Sequence, residues 1–478
     1  MNVKYNSGHG GAYGAGQFDR GGDVPRGRFT ETGRFGRMFP HLRSLTAFHP
    51  GPVELGRAGG VMDGGAPPPG DTSQDNPRIR AGYTFLGQFI DHDLTLDATS
   101  VLEQQIDPGA THNFRTPALE LDSVYGLGPK VQPYLYDRDA PGKLLTSPDG
   151  FDLPRNAQGV ALIGDPRNDE NIIISQLHLL FLKFHNKVFD TATDPSMGRQ
   201  ERFEAAQHLV RWHYQWIVVN EFLTRVTGSR AIRRALETMP FRYARDAYMP
   251  VEFSVAAYRF GHSQVRPGYL LSAPGVRPAR AAGLFPADPA APPSEFDLRG
   301  GRPVPEALRV DWAAFFGAQA QPSKLIDVRI SSPLLKLPDT VVDPSTPAPQ
   351  RSLASRNLQR GIDARLPSGQ AVAAQLGVSR LSDRKVWAGV AGGEGPAPLW
   401  FYCLREAEVR TGGLRLAGVG ARIVANTFAA ILDADKASYI AQAPEWTPSL
   451  GRGGKFTVTD LVNFTLGTSI PSEDVETL

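Results

Sequence analysis

The 478-residue chain is 41% apolar and 21% charged, ordinary values for a globular protein long enough to bury a large core. A formal net charge of +2 argues against a nucleic-acid binder working through a strong basic field. The single cysteine, Cys403, excludes an intramolecular disulfide framework and a multi-cysteine zinc site.

Residues 1–80 are rich in Gly, Pro and Arg and read as an extended N-terminal arm laid over a core. The first residues, MNVKYNSGHGGAYGAGQFDRGG, lack the apolar stretch of a secretory signal. The expected location is therefore cytoplasmic, or outside by a route without a cleaved signal. No run approaches the roughly 20 apolar residues that span a bilayer. From 81 to 478 helical periodicity dominates, which predicts a mainly α, single large domain with long ordered loops and little β structure. The spacing predicts an enclosed helix over 171–190, an amphipathic one over 202–228 stopped by glycine, and a third over 413–435. Proline-rich connections at 272–296 and 338–352 read as loops.

Five segments carry chemistry. In GQFIDHDL, Gln88 and His92 are four apart and Asp91 lies three from Gln88, so all three share one flank of a helix. Asp93 is turned about 100° away and serves a second site. A hydrogen-bonded core histidine beside two solvated acids would give the same pattern. In GDPRNDEN, Arg167 and Glu170 share a face at the entry to the 171–190 helix, where a surface ion pair is the plain alternative. RFGH places His262 after a glycine and Arg259 one turn earlier, a setting open to a metal ligand or a satisfied core histidine. Asn357 and Arg360 are three apart in SRNLQRG, and an asparagine can fix the tautomer of a ligating imidazole. In RTPALELD, Thr116, Ala118, Glu120 and Asp122 alternate, so three side-chain oxygens and a carbonyl can converge as calcium ligands or merely form an acidic loop.

Together, in this order, the five segments resemble the animal-type haem peroxidases of the peroxidase–cyclooxygenase superfamily, and PLWFYCLREAEVRTGG looks like a bacterial relative of the mammalian members. The resemblance implies a helical domain around a haem and a peroxidase that uses hydrogen peroxide to oxidise bromide, iodide, thiocyanate or small aromatic donors. It casts Gln88, His92 and Arg167 as the catalytic set over the haem, and His262 as the ligand of the haem iron. Asn357 becomes the partner of His262, and Arg259 and Arg360 the propionate partners. Asp93, Thr116, Ala118, Glu120 and Asp122 become calcium ligands, with Glu120 and Asp122 departing from the usual Asp and Ser. Asp91 and Glu170 correspond to carboxylates that form ester bonds to haem methyl groups, so haem b or an ester-modified haem is the expected cofactor. A sulfonium link would need methionine where Asn171 stands. The alternative is a fatty-acid dioxygenase or cyclooxygenase-like enzyme, whose radical tyrosine lies three residues before the iron-ligating histidine. Arg259 occupies that position and Tyr258 is one step off.

Overall fold

Helix Ile172–Thr191 is buried on every face through Leu182, and only its C-terminal half, contrary to the enclosed helix expected, shows water a stripe at Lys183, Asn186, Lys187 and Asp190. The computed structural model describes residues 33–65, 67–68, 70–96, 112–113, 115–243, 247–288 and 290–473. The helices that frame the centre are α1 (Ala81–Leu94), α2 (Ile172–Thr191), α3 (Arg199–Ile217), α4 (Gly261–Gln264), α5 (Leu353–Asp363), α6 (Leu399–Thr411) and α7 (Gly418–Ala434). α2 packs against α1 and α3, α6 against α7, and α1 against α4. The described chain is a mainly helical domain, and none of its helices is long and apolar enough to cross a membrane.

From its first described residue the N-terminal segment pairs with later parts of the chain. Strand β1 (Gly33–Gly36) pairs antiparallel with β3 (His112–Asn113) and parallel with β4 (Met249–Pro250). Strand β2 (Asp75–Arg80) pairs antiparallel with β7 (Pro322–Lys324), and β5 (Gly268–Leu270) with β6 (Ala281–Gly283). A short helix, Pro52–Gly56, crosses α5 so closely that a Cβ on Gly56 would lie 2.4 Å from the Ser355 nitrogen. Only glycine permits that approach.

One expected helix is interrupted by a π turn and another starts later than its periodicity suggests. The stretch over 202–228 becomes α3, a π turn at Val218–Phe222 and a short helix Leu223–Thr227, stopped by Gly228 at φ +86°. Glu221 in the π turn points inward, accepting from the Tyr83 hydroxyl (2.5 Å) and the Val458 nitrogen (2.8 Å). The stretch over 413–435 begins only at Gly418. There the buried Glu406 carboxylate accepts from the Val419 nitrogen (2.6 Å), so a side chain from α6 completes the start of α7.

Candidate active site

Local backbone chemistry builds the first wall. α1 has no side-chain cap, but its first two N–H groups donate to the carbonyls of Gln321 (2.9 Å) and Phe315 (3.1 Å). The Asp165-Pro166 start of a 3-10 turn uses the Asp165 carboxylate as its cap, accepting from the Arg167 nitrogen (2.9 Å). Asn171 then caps α2 through the Ile174 nitrogen (2.9 Å). The two caps fix the four residues from Arg167 to Glu170 against α1.

Gln88, His92 and Glu170 meet there. Gln88 Nε2 donates to Glu170 Oε1, Asn171 Nδ2 donates to Gln88 Oε1 (3.3 Å), and His92 Nε2 lies 3.9 Å from Glu170 Oε1. His92 Nδ1 faces away, 2.7 Å from Asn168 Oδ1. Glu170 is hemmed in by protein, yet half its side chain remains accessible, as expected of a group lining an internal space. Burial pushes its carboxyl up to about 7, against the pull of Arg167. The same burial, with Arg167 nearby, lowers His92 to about 3, so the imidazole is neutral near pH 7.

Arg167 is gripped from behind. Its Nε donates to Asp165 Oδ1 (3.1 Å), and its Nη2 to Asp165 Oδ2 (2.8 Å) and to the carbonyls of His92 (3.1 Å) and Thr95. Among the described residues Nη1 takes no hydrogen bond. Burial alone would raise Asp165, but Arg167 and the wholly buried Arg115 hold it well below the carboxylate range. Asp91 Oδ1 accepts from Thr95 Oγ1 (3.2 Å), and burial raises its carboxyl against the pull of Arg167 and Arg259. It makes no hydrogen bond to Gln88, His92 or Glu170, but its charge is felt by Glu170.

Across from α1, His262 opens α4. Its Nδ1 is 2.7 Å from Asn357 Nδ2, while Asn357 Oδ1 accepts from Arg259 Nη1 (3.0 Å). Burial and Arg259 lower His262 to about 3, leaving a neutral ring suited to a metal. An imidazole that binds iron through Nε2 must carry hydrogen on Nδ1. Binding in that form requires the Asn357 amide to turn over and Arg259 to take another acceptor. Arg360 lies one turn beyond Asn357 on α5, half buried. Tyr258, stacked on Phe253 (4.6 Å between centroids), donates to the Gly87 carbonyl of α1 (3.2 Å).

The residues expected to hold calcium lie behind His92. Asp93 is fully buried; its Oδ2 accepts from the Leu121 nitrogen (3.2 Å), and its Oδ1 has no hydrogen-bond partner of normal geometry. Burial, then Asp122 and Glu120, raise the Asp93 carboxyl, and burial with Asp122 raises Glu120. Thr116 Oγ1 donates to Glu120, and Asp122 Oδ1 is 2.8 Å from Arg115 Nη1. Crowded acids that raise one another, with the Tyr214 hydroxyl as a neighbour of Asp93, suit a divalent cation. Among the described residues, however, no three acids or histidines converge as a ready-made metal site. The fit is thus to a mixed set with hydroxyl and carbonyl oxygens.

Asp165, Asn168, Arg115 and His178 were not foreseen among the site residues. Asp-Pro before Arg167 was the one local signal, as a cap with proline at the first turn position. The other contacts join residues ten to seventy-six positions apart.

A sequence model described as animal haem peroxidase matches residues 102–390, more than half of the chain. A peroxidase-like protein of Margaritifera margaritifera is 35% identical over 124 residues, covering 24% of this chain and 16% of that protein. Human thyroid peroxidase is 28% identical over 206 residues, covering 41% and 21%. The chain thus matches under a quarter of the length of these two relatives. Among solved structures, peroxidase A from Dictyostelium discoideum superposes with TM-score 0.62 at 15% identity, over 91% of this chain and 93% of that one. An Oryza sativa fatty acid alpha-dioxygenase superposes with TM-score 0.54 at 15% identity, over 82% and 75%. At such identities these two likenesses speak for the fold alone.

Proposed function

The chain belongs to the animal haem peroxidase family, and from that membership we propose that it uses hydrogen peroxide to oxidise bromide, iodide, thiocyanate or small aromatic donors. The observation that carries the proposal is the neutral His92, tied at Nδ1 and open at Nε2 beside Gln88 and Glu170. Haem, when bound, supplies the iron at which peroxide is reduced and from which the donor is oxidised. The protein supplies proton transfer and charge. His92 Nε2 takes the proton from one peroxide oxygen and returns it to the leaving oxygen. The free Nη1 edge of Arg167 stabilises negative charge on that oxygen, while the bonds from Nε and Nη2 hold the guanidinium in place. The Gln88 amide orients water or halide. His262 would hold the iron, and Arg259 and Arg360 the propionates.

The alternative, a fatty-acid dioxygenase, has one observation in its favour: the buried Tyr258 hydroxyl reaches the backbone of α1 at Gly87. A donor screen with oxygen monitoring separates the readings. The expected result is peroxide-dependent oxidation of iodide, bromide or phenols, with no oxygen uptake on an unsaturated fatty acid. Uptake lost in Tyr258→Phe would reverse the assignment.

Asp91 and Glu170 are the carboxylates proposed to form haem esters, since both are held in raised, uncharged-leaning states by burial. After brief peroxide treatment, acidified solvent is expected to leave haem on the wild type and to extract it from a doubly substituted Asp91→Val, Glu170→Gln protein. Equal extraction would remove the ester. No sulfonium link is expected, because Asn171 follows Glu170.

Calcium is proposed at Asp93, Thr116, Ala118, Glu120 and Asp122. At a hundredfold excess over its Kd a bound ion adds about 2.7 kcal/mol of stability. Wild type should therefore melt higher in calcium than in chelator, and Asp93→Asn should lose that difference. The pH sign follows from the raised carboxyls: in metal-free protein they bind more protons folded than unfolded. Their contribution to stability falls as pH rises from the ordinary carboxylate range, and calcium should suppress that fall. A calcium-independent melting curve would leave the segment an acidic loop.

A further inference from the structure

Behind His92 a polar thread runs into an otherwise apolar interior. Asn168 Oδ1 lies 2.7 Å from His92 Nδ1, and Asn168 Nδ2 lies 3.0 Å from His178 Nδ1. All three side chains are buried; His178 and Asn168 are wholly so. His178 projects from α2, its ring edge-to-face with Phe89 of α1 at 6.2 Å, and its Nε2 has no hydrogen-bond partner. No ion pair involves Asn168 or His178 among the described residues, so the thread serves no charge balance of its own.

A neutral imidazole has one donor nitrogen and one acceptor nitrogen. With Oδ1 towards His92, Asn168 can only accept there, so the His92 hydrogen must sit on Nδ1. Nε2 then carries the lone pair towards Gln88 and Glu170, the form that can take a proton from peroxide. With the amide reversed, Nδ2 would donate to His92 Nδ1, hydrogen would move to Nε2, and the base would be lost. Reversal would also invert the bond to His178, whose hydrogen would then sit on Nδ1, so the orientation of this one amide sets both rings together. His178 Nδ1 accepts from Asn168 Nδ2, which requires the His178 hydrogen on Nε2. The cost of that arrangement is a buried N–H with no conventional acceptor, against the neighbouring Phe89 ring.

We propose that Asn168, held between His92 and His178, is the positioning residue that sets the tautomer and ring plane of His92. This rests on the peroxidase reading for its consequence, but its geometry can be tested without haem or activity. Neither residue touches peroxide; both act through His92. The same logic accounts for the wrong-tautomer losses of general-base histidines, which reach several orders of magnitude when the orienting group is changed.

The test uses the full chain labelled with [15N]-histidine, free of haem, with resonances assigned by removing one histidine at a time. Protonated and bare imidazole nitrogens differ widely in 15N shift, so the tautomers are read directly. The expected pattern is hydrogen on Nδ1 of His92 and on Nε2 of His178. In Asn168→Leu both rings should become tautomer mixtures, and in the haem-loaded variant the peroxide step should slow about 100-fold or more. Its Soret spectrum and donor-oxidation step should stay near wild type. Asn168→Asp keeps an acceptor for His92 and should recover most of the lost rate, although it cannot donate to His178. Hydrogen on Nε2 of His92 in wild type would overturn the proposal, as would a wild-type peroxide step in Asn168→Leu. If Asn168→Leu does not fold, the wild-type tautomer pattern decides alone. A wild type with the expected tautomers but no peroxidase activity would instead count against the functional reading and leave the Asn168 geometry standing.

Discussion

His262→Ala is expected to abolish haem loading: protein purified with excess haem should show no Soret band, while its far-ultraviolet circular dichroism stays that of a helical protein. The effect should be all-or-none because the ring is the one neutral histidine on α4, lowered to about 3 by burial and Arg259. Among the described residues its hydrogen bond is to Asn357 through Nδ1, which leaves Nε2 for iron. Truncation removes the ligand and leaves Asn357 and Arg259 hydrogen-bonded to each other. The fold should tolerate this, since His262 is only part-buried and α4 is a single turn. Supplying imidazole should restore part of the Soret absorbance. Normal haem uptake by the variant would mean that another residue holds the iron.

The second large effect is at His92. His92→Leu should slow the peroxide step by about 10⁴-fold, the upper end of what a positioned acid–base group contributes. Haem absorption and affinity should change little, because His92 projects from α1 and not from α4, which carries the proposed iron ligand. The pH profile distinguishes the base from its neighbour. A neutral His92 with its proton affinity lowered to about 3 stays competent as a base from neutral pH down into the acid range. While Glu170 is still a free acid, before any ester forms, a limb close to pH 7 should come from it, pushed up to about 7, and should vanish in Glu170→Gln and on ester formation. A residual rate within tenfold of wild type in His92→Leu would place the proton transfer elsewhere.

Much of this was legible before any fold was known, and for a local reason. Gln88 and His92 share a face because four residues make about one helical turn, and α1 forms as read. Asp93 does turn to a different environment from His92, towards the backbone of Leu121. The helix expected over 171–190 appears within one residue of those bounds. The motif order was enough to identify the family, whose model then matched most of the central chain. The π turn in the second helix and the late start of the third were not legible. Each is decided by a buried glutamate whose partners lie more than ten residues away, Glu221 with Tyr83 and Val458, and Glu406 with Val419.

The sequence by itself determined residue type, spacing and helix face, because those follow from covalent geometry and from caps within one turn. It placed Gln88 with His92, Arg167 just before α2, and Asn357 beside Arg360. Only the tertiary structure decided where Asp91 points, that Asp165 and Arg115 grip the segment from behind, and that Asn168 stands between His92 and His178. Those contacts join residues up to seventy-six positions apart, and no local periodicity encodes them. They exist because packing α1 against α2 takes these polar groups out of water, and each must then find its partner among whatever the neighbouring helix and loop present.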